Sequence, residues 1–137
     1  MNRFVWLFER HPLIFVHMTA ALLALALGAV VLARRKGTTS HRATGWVWVT
    51  LMALATITSA FIRDYRMINL AGITPIHGFI VLTAIGLPQG IAAIRRGDVT
   101  SHRRHMRNLY IGGCVVAGFF TLMPGRFLGR QLWALWA

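Results

Sequence analysis

Six histidines are the residues of this chain best suited to chemistry, and four of them form two pairs in matched positions. His41 and His102 each stand in a Ser-His-Arg tripeptide, within two similar segments of the chain. His17 precedes Arg34 by nearly the same interval as His77 precedes Arg95. Neutral imidazoles ligate haem iron, zinc and copper. Each pair is therefore a candidate ligand set, provided that the fold brings its two members together.

The elements that must position these histidines follow from an internal repeat. Residues 34–42 read Arg-Arg-Lys-Gly-Thr-Thr-Ser-His-Arg, and residues 95–103 read Arg-Arg-Gly-Asp-Val-Thr-Ser-His-Arg. Each copy lies between two apolar stretches that are long enough to cross a bilayer. The stretches run approximately over 13–33, 43–62, 76–94 and 107–124. This pattern predicts an all-α fold: an integral membrane four-helix bundle made of two parallel helical-hairpin repeats, in one domain of residues 1–137.

The charge distribution indicates a lipid bilayer as the partner and argues against nucleic acid. The net charge is +12, but 56% of the residues are hydrophobic, and the basic residues cluster at the predicted helix ends. The loops 34–42 and 95–106 carry more Arg and Lys than the opposite side, so we expect these loops in the cytoplasm and both termini outside. Segments 3–10 and 126–137 combine Trp, Leu, Phe and Arg, which predicts interfacial segments.

The predicted helices place the histidines in two layers. His17 and His77 form an outer layer, while His41 and His102 open the second and fourth helices and form an inner layer. His105, one turn after His102, faces nearly the same way. Small residues share the face of His17, namely Ala21, Ala24 and Gly28. They favour either tight helix packing or room for a flat macrocycle such as haem b, held by a histidine from each of two helices.

Other polar residues near these layers have simpler interpretations beside the functional ones. Arg42, Arg103 and Arg63 are candidates to contact lipid phosphate, haem propionates or the head of a quinone. Thr39-Ser40 and Thr100-Ser101 are predicted N-caps of the second and fourth helices. Trp46 and Trp48 are expected at the cytoplasmic interface. The three acids, Glu9, Asp64 and Asp98, all lie outside the apolar stretches, which argues against an ion-coupled transporter.

Several short motifs resemble a known family. They are His41-Arg42-x-x-Gly45-Trp46, Ser59-x-Phe61-Ile62, Pro75-Ile76-His77, Arg95-Arg96-Gly97-Asp98 with His102-Arg103-x-x-Met106, and Ala117-Gly118-x-x-x-x-Met123-Pro124-Gly125-Arg126. Together they resemble the bacterial membrane proteins known as domain of unknown function 2306 (DUF2306). The resemblance implies a four-helix bacterial membrane protein and no established activity. The expected location is the bacterial inner (cytoplasmic) membrane. In layout alone, the histidine pairs also resemble cytochrome b-561-type electron carriers.

Two functions follow with equal support from the sequence. One is a b-type haem protein that transfers electrons, to or from a quinone, through His17, His77, His41 and His102. The other is a cofactor-free accessory or scaffold subunit, working with other membrane subunits or as a homo-oligomer. A zinc or copper site at His41, His102 and His105 is a third interpretation. The sequence contains no hydrolytic or transferase constellation, so any enzymatic activity is expected to be redox chemistry.

Overall fold

The computed structural model describes residues 3–62, 77–123, 125 and 127–136, and every regular element within them is helical. The prediction of an all-α chain is confirmed. In chain order the elements are α1 (Arg3–Arg10), α2 (Pro12–Ala33), α3 (Thr39–Phe61), α4 (His77–Arg95), α5 (Val99–Leu109), a π-helix (Tyr110–Val116), α6 (Ala117–Thr121) and α7 (Phe127–Trp136).

Three of the described helices are long and apolar enough to cross a membrane: Pro12–Ala33, Thr39–Phe61 and Gly78–Arg95. The predicted fourth stretch, 107–124, coincides with the end of α5, the π-helix and α6. These three pieces follow one another without a break from Val99 to Thr121. The π-helix interrupts the α-helical pattern there, so the fourth span and the repeat remain predictions.

Two helices begin earlier than hydropathy predicts, because polar caps decide where they start. α3 begins at Thr39 rather than at 43, and α5 begins at Val99 rather than at 107. The hydroxyl of Thr38 accepts a hydrogen bond from the His41 backbone N–H at 3.1 Å. Asp98 Oδ1 accepts one from the Ser101 N–H at 3.0 Å. The predicted N-caps, Thr39-Ser40 and Thr100-Ser101, are therefore wrong, and the true caps come slightly earlier in the chain.

The two connections reach these caps through the same turn. Gly37 and Gly97 both have φ of +80°, which favours glycine because it has no Cβ, and each directly precedes the N-cap residue. Measured from these turns, His102 stands one position further into its helix than His41. One position on a helix is a rotation of about 100°. The inner histidines are therefore not equivalent about their helix axes.

The helices pack as two hairpins that meet side by side. α2 packs along α3, α4 packs along α5, and the two hairpins join where α3 lies against α4. The core consists of Ala24, Val31, Trp48, Met52, Leu87, Leu109 and Cys114. Many large apolar side chains on the outer faces are exposed, as a bilayer-embedded bundle requires. Of the two tryptophans predicted near the cytoplasmic interface, Trp46 is 55% exposed, whereas Trp48 is only 4% exposed and belongs to the core.

The π-helix packs closely on α4 of its own hairpin and on α3 of the first hairpin. Gly112 lies against the Leu82 side chain of α4, and Gly113 lies against Met52 Cε of α3. Glycine at both positions allows this close approach, because a Cβ would fall 2.9 Å from Leu82 and 3.0 Å from Met52. The same segment carries Tyr110, whose ring reaches α2. A π-helix widens the helical turn and frequently occurs at functional sites.

Candidate functional site

A cavity of about 420 Å³ lies at the end of the bundle that carries the two connections 34–38 and 96–98. We refer to it as the loop-end cavity. It separates the two hairpins, because all four helices α2 to α5 contribute to its wall. Its lining is mostly aliphatic and aromatic: Gly28, Val31, Leu32, Gly45, Trp46, Trp48, Val49, Ile91, Ile94, Val99, Met106 and Tyr110, together with the polar residues His41, His102, Lys36, Arg42 and Arg103 and the turn residue Gly37. Its size is within the range of small-molecule and cofactor sites.

The inner histidine pair predicted from the sequence meets at this cavity. His41 enters from the first turn of α3, and His102 enters from the first turn of α5. Each hairpin therefore contributes one imidazole to the lining of the same cavity. Two neutral imidazoles on one apolar cavity are a donor set suited to an iron porphyrin.

The hydrogen bond of His102 determines which of its nitrogens is free. His102 Nδ1 donates to the Gly90 carbonyl of α4 at 2.9 Å. A carbonyl can only accept, so Nδ1 carries the proton, and in the neutral ring Nε2 keeps its lone pair. Metal-ligating histidines usually have this arrangement, with the second nitrogen bound to a backbone carbonyl or a carboxylate. His102 is therefore oriented as a ligand would be.

His41 differs, because one of its nitrogens is buried without a partner. Among the described residues, none forms a hydrogen bond with His41 Nδ1. The Val31 carbonyl lies near the ring, but not in normal hydrogen-bond geometry. A buried polar atom without a partner is costly, and such atoms often mark a site that is completed by a ligand or by a small rotation of the ring.

Three cations line the cavity on its loop side. Lys36 Nζ donates to the carbonyls of Val31 and Leu32, so its charge caps the C-terminal end of α2. Arg42 and Arg103 are exposed and form no ion pair within the described part of the chain. They remain able to bind an anion at the mouth of the cavity. Arg63, the third arginine predicted from the sequence, lies outside the described residues.

The end of the cavity that lies furthest from the connections is closed by two aromatic side chains. The sequence did not reveal them as site residues. Trp48 Nε1 donates to the Ala24 carbonyl at 3.0 Å, and Tyr110 Oη donates to the Leu25 carbonyl at 3.0 Å. Both rings lie against Gly28. The sequence predicted that small residues of α2 could leave room for a macrocycle. At Gly28 that room is filled by the rings of Trp48 and Tyr110. Gly28 was the one signal in the sequence that a bulky neighbour approaches here.

The outer layer is only partly described. His17 Nδ1 donates to the Ala55 carbonyl of α3 at 2.9 Å and lies 3.2 Å from Thr58 Oγ1. His17 does not line the loop-end cavity. His77 begins α4, but its side chain lies outside the described part of the structure. That His17 and His77 face one another therefore stays a prediction.

His105 does not line the cavity and is engaged elsewhere. Its Nδ1 donates to the Ser101 carbonyl at 2.8 Å, and the Gln89 side-chain amide lies 3.2 Å from Nε2. Within the described residues, no three His, Cys, Asp or Glu side chains converge as a metal site would require. The zinc or copper site predicted at His41, His102 and His105 is therefore not supported.

Comparison with known proteins gives one match. A family model described as "Predicted membrane protein (DUF2306)" matches residues 14–131, which covers all of the cavity and both connections. No curated protein and no solved structure matches the chain.

Proposed function

This chain belongs to the DUF2306 family of predicted membrane proteins, and from that premise we propose that it binds haem b in the loop-end cavity and transfers electrons. The observation that carries the proposal is the convergence of His41 and His102, one from each hairpin, on one apolar cavity. Haem would supply a one-electron couple at that position, and the protein would supply its ligands and its surroundings.

The proposed membrane arrangement has four spans. α2, α3 and α4 would be joined by the continuous helical segment from Val99 to Thr121, of which the part after Arg107 is apolar. The two hairpins would stand parallel in the bacterial inner membrane, with both connections in the cytoplasm and both termini outside. The loop-end cavity would then lie on the cytoplasmic side. α1 and α7 would lie along the opposite surface.

The residues of the cavity fit haem b in three respects. His102 presents Nε2, because its Nδ1 is bound to the Gly90 carbonyl. His41 Nδ1 is buried and has no partner among the described residues. The Val31 carbonyl lies near the ring and could accept the Nδ1 proton after a small rotation, which would leave Nε2 for the iron. Arg42 and Arg103 lie at the mouth, where guanidinium groups suit the two propionates of the porphyrin. The apolar wall would exclude water from the iron and hold the ring in place.

The proposal concerns one haem, at the inner pair. A second haem between His17 and His77 stays a prediction from the sequence. Because His17 is held by α3 and lies away from the cavity, His17→Ala should leave the spectrum of an inner haem unchanged.

A cofactor-free accessory subunit is the second candidate function. It is favoured by one observation: His17 and His105 both make hydrogen bonds within the chain, as structural histidines do. In that case His102 would serve only to fasten α5 to α4 through Gly90. The two functions differ in whether the cavity binds a chromophore.

The deciding experiment is an absorption spectrum of the full chain, expressed with ample haem supply and purified in detergent. We expect a Soret band in the oxidised protein and a sharp α-band after reduction, since two imidazole ligands give low-spin haem. Absence of a Soret band in a well-folded, helical preparation would overturn the haem proposal and favour the accessory subunit. A quinone that copurifies in place of haem would overturn the haem proposal and the cofactor-free alternative alike.

A further inference from the structure

The outer face of α5 carries two exposed arginines, Arg104 and Arg107. The opposite face of α5 packs on α4, because Met106 Cε and His105 Cβ lie against Gly90, and Leu109 lies against Gly86. α4 ends at Arg95, and Gly90 lies about 7–8 Å before that end along the helix axis. On α5, Arg104 directly precedes and Arg107 directly follows the two residues that contact Gly90, His105 and Met106.

Both arginines point away from the bundle and are exposed. Neither forms an ion pair within the described part of the chain. The Asp98 carboxylate lies near Arg96 and Arg104, but it caps α5 and is paired with neither arginine. Among the described residues, these two guanidinium groups, one helical turn apart, therefore have no ion-pair partner.

The same face becomes apolar within one turn. Ile111 follows Arg107 on that face and is 48% exposed, and Val115 after it is 46% exposed. A surface that changes from guanidinium to aliphatic over about 6 Å matches the boundary between the headgroups and the acyl chains of a bilayer. An acidic soluble protein would leave the aliphatic part uncovered.

We propose that Arg104 and Arg107 form a binding site for the phosphate of an anionic phospholipid in the loop-side leaflet. Its acyl chains lie along Ile111 and Val115. The site is separate from the loop-end cavity, because neither arginine lines that cavity. It does not depend on whether the cavity holds haem. A bound lipid at this position neutralises the first turns of the fourth helical segment and thereby fixes how deeply that segment sits in the membrane.

The test is native mass spectrometry of the full chain in detergent, titrated with phosphatidylglycerol or with phosphatidylcholine of the same acyl chains. The test variant is Arg104→Gln/Arg107→Gln. The control variant is Arg35→Gln/Arg96→Gln, which removes the same charge from two exposed arginines at the connections. We expect the wild type to prefer phosphatidylglycerol. The test variant should bind it about tenfold more weakly, and the control variant should keep most of the affinity.

Three results would overturn the proposal. An equal loss in both double variants would mean that diffuse charge attracts the lipid. Equal binding of the two lipids by the wild type would mean that the arginines do not distinguish an anionic lipid from a zwitterionic one. Displacement of phosphatidylglycerol by the same concentration of inorganic phosphate, or of an acidic peptide, would mean that the arginines recognise a soluble anion. Circular dichroism of each variant should show that its helices are intact.

Discussion

The phenol of Tyr110 donates a 3.0 Å hydrogen bond to the carbonyl of Leu25, which belongs to the other hairpin and is distant in the chain. The indole of Trp48 donates in the same way to the adjacent carbonyl, that of Ala24. The π-helix and α3 thus each hold one carbonyl of the same turn of α2. Both contacts close the end of the loop-end cavity that lies furthest from the connections, and the Tyr110 bond also ties the second hairpin to the first.

Tyr110→Phe should destabilise the protein, because the substitution removes this hydrogen bond and leaves the packing of the ring in place. The expected loss is about 0.5–1.5 kcal/mol in free energy of unfolding. Thermal unfolding in detergent, followed by circular dichroism, measures it. Thr50→Val is the control, since the exposed Thr50 hydroxyl donates only to the Trp46 carbonyl of its own helix. A Tyr110→Phe variant as stable as the wild type would contradict the assigned bond.

Gly28→Ala should be more harmful than its size suggests. A Cβ at Gly28 would lie 2.5 Å from Tyr110 ring carbons and 2.7 Å from Trp48 Nε1, so both aromatic rings would have to move. Overpacking of this kind costs about 1–3 kcal/mol. Gly45→Ala is the matched control on the cavity wall, because no atom lies within 4 Å of its added Cβ. If both variants unfold at the same temperature, the cavity is not closed at Gly28 as described.

His102→Ala should abolish the low-spin haem spectrum that the proposed function predicts, and His105→Ala should leave it intact. The reason is that His102 lines the cavity with Nε2 free, whereas His105 is bonded to Ser101 and Gln89. Reduced-minus-oxidised difference spectra of both variants, at equal protein concentration, measure the effect. Equal loss in the two variants would count against His102 as a specific ligand.

Asp98 should make the stability of α5 dependent on pH. The backbone N–H of Ser101, then its hydroxyl, and to a smaller extent Arg96 and Arg104, lower the pKa of Asp98 below its ordinary value of 3.8. A lowered pKa in the folded state means that the capped carboxylate contributes stability above that ordinary value. The contribution is lost as the pH falls through the lower, folded-state pKa.

The measurement for Asp98 is thermal unfolding of wild type and Asp98→Asn from neutral pH down to acidic pH. Asparagine is also a good N-cap but does not titrate, so the variant should lose less stability on acidification than the wild type. Every ionisable group other than Asp98 is the same in both proteins, so its contribution cancels in the difference. Parallel pH profiles would mean that ionisation of Asp98 contributes nothing to the stability of the protein.

Hydropathy predicted the helices well but their ends poorly. α2 starts at Pro12 and ends at Ala33, close to the predicted 13–33, because Pro12 and the Arg-Arg-Lys run bound an uninterrupted apolar stretch. α3 and α5 start one to two turns early, because Thr38 and Asp98 set those ends through side-chain hydrogen bonds. A hydropathy window cannot register such a cap. The π-helix was also missed, since only the Gly112-Gly113 pair hinted at irregular backbone there.

The sequence by itself determined the helical membrane character of the chain and its family, and it predicted the pairing of His41 with His102. Each of these depends on local composition or on the order of residues along the chain. The tertiary structure decided which histidines share a cavity, that Trp48 is buried, and that Tyr110 and Gly28 close that cavity. These features arise where two hairpins distant in the chain meet, and the packing of rings and carbonyls there depends on the relative rotation of the helices. No periodicity within a single helix encodes that rotation, because helix rotation is set by the neighbouring helices.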